Sequence, residues 1–144
     1  MRERTVLFLL LGACNDAIDW LADHAHLSDR EVWEACEVPE WLRFVAERGD
    51  CYSRATLHSA ISPIIRTMRR AIDAAVNAYP CSEAELPFMT DLDWSEASRR
   101  CDEACRRAAL NACSMIRHTV AMPRRDQLEA ATVEDAGQWH DFPF

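Results

Sequence analysis

From Asp93 to Met122 the chain repeats apolar or small side chains at helical intervals: Trp94, Ala97, Cys101, Ala104, Cys105, Ala108, Ala112, Met115, Ile116 and Val120. Steps of three and four place them on one face of an α-helix, and Pro123 ends it because proline cannot continue the backbone hydrogen bonding. A helix this long must be a core element, and its small residues permit close approach by a neighbour.

The rest of the chain reads the same way. Only three glycines occur in 144 residues, too few for the tight turns of an all-β domain. Cys14, Ala17, Ile18 and Leu21 form an apolar stripe opposite Asp16, Asp19 and Asp23. Ser28-Asp29-Arg30-Glu31 is a capping box that opens a helix through Trp33 and Cys36. Pro39 suits the first turn of a helix that Gly49 terminates, with Trp41, Leu42 and Val45 on its apolar face. Ser53 to Tyr79 keeps helical spacing through Leu57, Ile61, Ile64, Ile65, Met68, Ile72 and Val76, although Pro63 should kink or split it. Residues 80–91 are the one long loop, with Thr90 or Asp91 as the next cap. The expected fold is therefore all-α: a single-domain bundle of about five to seven helices with a long C-terminal core helix. The bundle is expected over residues 1–131, including a short helix at Gln127–Ala131. Residues 132–144 should form an arm or tail in which Trp139, Phe142 and Phe144 dock.

Val6–Leu11 followed by Gly12-Ala13-Cys14 looks like a lipoprotein signal, but the run is short and an amphipathic pattern continues after Cys14. It reads instead as a deeply buried helical turn or two. No apolar run approaches the ~20 residues needed to span a bilayer. Seven cysteines, several at helical spacing, read as reduced and mostly buried thiols, so the expected compartment is cytoplasmic.

Catalytic signatures are missing from the pattern. The 16 basic residues are all arginine, which removes lysine Schiff-base chemistry. There is no nucleotide-binding glycine loop, no Ser/His/Asp order and no His-Glu-x-x-His. Cys101 and Cys105, with Cys113 or His118, have the makings of a metal site, but they lack the second close-spaced pair of a structural zinc site and read as packed thiols. His24 and His26 read as partners of a helix C-terminus. The expectation is a protein without enzymatic activity or cofactor.

Charge is the more telling feature. The chain carries 24 acids against 16 bases, a net charge of −8. Such a surface repels phosphate backbones and attracts basic partners. Asp16, Asp19 and Asp23 line one helical face, Glu31 and Glu34 follow on the next helix, and Glu83, Glu85, Asp91 and Asp93 fall in a stretch with no basic residue. These nine are the candidate partner-binding residues. The partner expected is a basic protein, or the nucleic-acid-binding surface of a protein complex, with no direct contact to nucleic acid or membrane.

Gly12-Ala13-Cys14, Ala17, Trp20, then Trp33-Glu34-Ala35-Cys36 and Trp41-Leu42, together with Asn111 to Arg117 ahead of Pro123, carry a resemblance. The pattern resembles a family of small helical phage and bacterial proteins, some of them similar to immunity proteins of polymorphic toxin systems. The resemblance implies a helical fold, and the acidic faces lead to the expectation of a stoichiometric inhibitor, of the phage anti-defence (anti-CRISPR-like) or toxin-immunity kind. The alternative is a phage or prophage structural or assembly protein acting as a homo-oligomer, such as a homodimer.

Overall fold

The computed structural model describes residues 2–49 and 52–140, with side chains in the last helix described as far as Thr132. Among these residues the chain is all-helical, with no strands. The helices are α1 (Arg4–Leu11), α2 (Asn15–Asp23), α3 (Asp29–Ala35), α4 (Pro39–Arg48), α5 (Arg54–Asn77), α6 (Asp91–Thr119) and α7 (Arg125–His140).

Local chemistry sets most boundaries. Gly12 closes α1 at φ +92, with its N–H donating to Leu9 O and that of Ala13 to Phe8 O. Only glycine takes this left-handed turn without strain. The Ser28–Glu31 capping box opens α3, and a second one, Thr90 with Asp93, opens α6. Pro39 occupies the first turn of α4. Ser53 caps α5, which runs unbroken through Pro63. Pro63 lies within it at an exposed position, and the helix is not split there. The last helix also exceeds expectation: α7 continues to His140 rather than ending near Ala131. Trp139, Phe142 and Phe144, expected to dock, lie outside the described side chains, as does Cys51.

The main core forms where α3, α4, α5 and the C-terminal half of α6 meet. Trp33, Leu42, Ile61, Ile65, Cys113 and Ile116 lie at its centre. Arg117 fastens α3 to α6 by donating to Trp33 O and Cys36 O, both at 3.0 Å. A smaller cluster joins Leu7 and Leu11 of α1 to Leu128 of α7. Beside it, Asp29 receives Arg4 Nε at 2.9 Å and Arg125 Nη2 at 2.7 Å. These two guanidiniums hold the Asp29 carboxyl below its ordinary range, Arg125 with the larger effect.

Three expectations about burial are corrected. The α1 run is only half buried: Leu7 and Leu11 point inward while Val6, Leu9 and Leu10 are exposed. The buried stripe of α6 is confined to its C-terminal half, leaving Trp94 and Ala104 exposed and Cys101 and Cys105 half-buried, and within that half Met115 is exposed as well. The six described cysteines are free thiols, but only Cys36 and Cys113 are buried. The cause is common to the first two. Neighbours cover only the faces and lengths they reach, so apolar side chains of α1 and α6 beyond them stay exposed.

Candidate functional site

From Arg69 to Arg107 no residue is buried. This stretch is the distal half of the α5–α6 hairpin, where the two helices pack mainly against each other, with Arg106 reaching Glu37 beyond α3. Small residues make that contact: Ala75, Ala97 and Cys101 are half-buried, and the Cys101 thiol donates to Ala75 O at 3.8 Å. Across the end, Tyr79 meets Trp94 edge to face, ring centroids 6.3 Å apart. The connecting loop turns through a 3₁₀ segment at Leu86–Phe88, and the Cys81 thiol lies 3.2 Å from Met89 Sδ. The hairpin is thus a finger built from two helices and a short ordered loop.

Its end is both apolar and acidic. Phe88 and Leu92 are each 82% exposed, with Leu86, Val76 and Trp94 also exposed. Large apolar side chains grouped on a surface mark interaction sites more than scattered ones do. Glu83 and Glu85 stand in the same loop and Asp91 in the first turn of α6, all exposed. Glu85, Asp93, Glu96 and Arg100 line a cleft of about 640 Å³ with Phe88 and Met89. Desolvation, and then the charges of Glu85 and Asp93, push the Cys81 thiol above its usual range. No basic residue occurs between Ala71 and Ser98. The nearest arginines on α6 are already engaged: Arg99 holds Glu96 at 2.6 Å and Glu103 at 2.7 Å, and Arg100 holds Glu96 at 3.1 Å. That grip, chiefly from Arg99, keeps the Glu96 carboxyl down at about 2.

The nine predicted partner-binding residues are all exposed, but they do not form one surface. Glu83, Glu85, Asp91 and Asp93 gather at the hairpin end. Asp16, Asp19 and Asp23 lie on α2, and Glu31 and Glu34 on α3. α3 is tied to the other half of α6, by Arg117 at Trp33 O and Cys36 O and by Arg106 at Glu37 just after it, so the two groups lie on different parts of the molecule. Glu31 and Asp93 also have structural work as capping-box partners, and those hydrogen bonds lower both carboxyls. Asp16, Asp19, Asp23, Glu34, Glu83, Glu85 and Asp91 form no ion pair among the described residues.

Sequence reasoning overlooked Phe88 and Leu92. Their signal was present: Leu86 and Phe88 are apolar residues in an acidic loop, and Leu92 falls off the α6 stripe. No group of three or more His, Cys, Asp or Glu among the described residues is placed to hold a metal ion. His24 caps the end of α2, its Nδ1–H donating to Trp20 O at 2.7 Å while its ring stacks on Trp20. No described helix is long and apolar enough to cross a membrane. Comparison of the chain with protein-family models, with curated proteins and with solved structures finds no match.

Proposed function

We propose that this chain is a stoichiometric protein-binding inhibitor that docks the end of its α5–α6 hairpin on a basic surface of a partner protein and neutralises it. One observation carries the reading: Phe88 and Leu92, each 82% exposed, stand on a finger whose end bears Glu83, Glu85 and Asp91, while Arg100 nearby is paired with Glu96. Apolar side chains supply contact area, and acids steer a basic partner and reject acidic ones. The anti-defence and toxin-immunity versions both use such a surface, since the partner in each is a protein with a basic, nucleic-acid-binding or catalytic face. The test is capture of partners from a lysate on immobilised chain, run in parallel with Glu85→Arg/Phe88→Ser/Leu92→Ser and with Asp16→Arg/Asp19→Arg/Asp23→Arg. A basic protein retained by the wild type and by the α2 variant but lost by the hairpin variant supports the reading. Equal retention by all three contradicts it.

A second reading, assembly of the chain with itself, draws on the exposed apolar face of α1, where Val6, Leu9 and Leu10 are all uncovered. Sedimentation tests it. A dimer that Leu9→Glu/Leu10→Glu converts to monomer supports self-assembly, and a wild-type monomer at micromolar concentration removes it.

A further inference from the structure

A part-enclosed cavity of about 390 Å³ lies among α1, α2, α3, α4 and the start of α7. Phe8, Trp20, Trp33, Trp41, Phe44 and Met122 contribute to its lining. The volume falls within the range of about 300–1,000 Å³ common for small-molecule sites. Four charged residues also reach it, Arg4, Asp29, Glu40 and Arg125, so the formal charge of the lining is balanced.

The Arg4, Asp29 and Arg125 groups there have little left to offer a ligand. Arg4 donates from Nε to Asp29, from Nη1 to His24 O and from Nη2 to Leu27 O. Arg125 donates from Nε and Nη2 to Asp29 and from Nη1 to Arg2 O. Every guanidinium nitrogen is therefore engaged. Among the described residues no buried side-chain nitrogen or oxygen lacks a hydrogen-bond partner. Water fills a cavity when two to four polar groups hold each molecule, and these walls provide few. An apolar guest recovers the dispersion contacts that such walls otherwise forgo. The aromatic side chains favour a ring: Trp20 and Trp41 meet at 5.9 Å with planes tilted 57°, and indole faces gain from offset or edge contact with another π-system.

We infer that this cavity is a binding site for an uncharged, largely apolar ring compound, distinct from the hairpin surface. An anion would have to displace Asp29 from its arginines or remain unpaired beside apolar walls, and both are costly.

The test is a fluorescence titration of the full chain with the neutral probe N-phenyl-1-naphthylamine. The site predicts saturable binding of one probe per chain, a blue-shifted probe emission and quenched tryptophan emission. Ala17→Leu and Ala13→Trp each add volume at the lining. Both are expected to weaken binding at least ten-fold, and Ala13→Trp, where the side chain is already half-exposed, decides the matter should Ala17→Leu fail to fold. Phe88→Ser/Leu92→Ser is expected to bind like the wild type. The anionic 1-anilinonaphthalene-8-sulfonate is expected to bind at least ten-fold more weakly than the neutral probe. Non-saturating binding, undiminished binding by a folded filled variant, or loss of binding in the hairpin variant overturns the site. Equal binding of the two probes overturns the preference for an uncharged ligand. None of these results depends on whether the hairpin captures a protein partner.

Discussion

Gly49 at the end of α4 lies against Pro123 so closely that a Cβ on Gly49 would sit 2.5 Å from the proline Cβ. The glycine is there for space, since its φ of −72 suits any residue. The contact brings the chain after α6 onto the end of α4, two residues before α7 begins. Gly49→Ala is expected to destabilise the fold by about 1–3 kcal/mol, the usual cost of overpacking a close contact. Urea denaturation checks this, and an unchanged midpoint would show that Pro123 moves aside freely.

Asp29 joins α3, α1 and α7 through Arg4 and Arg125. Its side chain is 41% exposed, so solvent screening limits the contribution, and Asp29→Asn is expected to cost about 1 kcal/mol. The carboxyl is lowered from 3.8 in the folded chain. Its contribution is therefore fully present above 3.8 and is lost as the pH falls through the folded value. The stability gap between wild type and Asp29→Asn should be constant near neutrality and close on acidification. A gap that widens in acid would reverse the assignment.

The thiols should react in order of access. Cys14 is exposed, whereas burial pushes the Cys113 thiol up to about 12 and raises Cys36 as well. A buried thiol with so little thiolate is a poor nucleophile. Timed iodoacetamide labelling at neutral pH, read by mass spectrometry, should modify Cys14 first and leave Cys36 and Cys113 unmodified until denaturant is added. Labelling of Cys113 at the rate of Cys14 would contradict the packing described for α6.

Core and finger should respond oppositely to substitution. Trp33 is buried at the centre of the main core, and Trp33→Ala is expected to cost about 3–5 kcal/mol. Phe88→Ser/Leu92→Ser removes two side chains that rest on almost nothing and should change stability by no more than about 0.5 kcal/mol per site. Thermal unfolding of both variants measures the contrast. A large loss in the hairpin variant would mean that Phe88 and Leu92 pack in the free protein.

Much of the fold was legible because its signals are local. The Ser28–Glu31 box, Pro39 in the first turn of α4 and Thr90 ahead of α6 each act within four residues, and the helices begin where those signals stand. Burial was less legible. Trp94 sits on the same stripe as Ala108 and Ile116, yet only the latter two meet α4 or the core. A stripe tells which face a helix would bury, and tertiary arrangement alone determines how far along its length a neighbour covers it. The acidic residues were legible individually, but their division between α2–α3 and the end of the α5–α6 finger follows from the tertiary arrangement. Phe88 and Leu92 escaped notice because apolar residues are expected inside.

The central claim, that the finger end is the docking surface, is tested most directly by titrating the captured basic partner against wild type and Glu85→Arg/Phe88→Ser/Leu92→Ser at low and high salt. The account predicts binding by the variant weaker by about ten-fold or more, a loss of about 1.4 kcal/mol or more. Wild-type affinity should also fall as salt rises. Equal affinity for the two chains would contradict it.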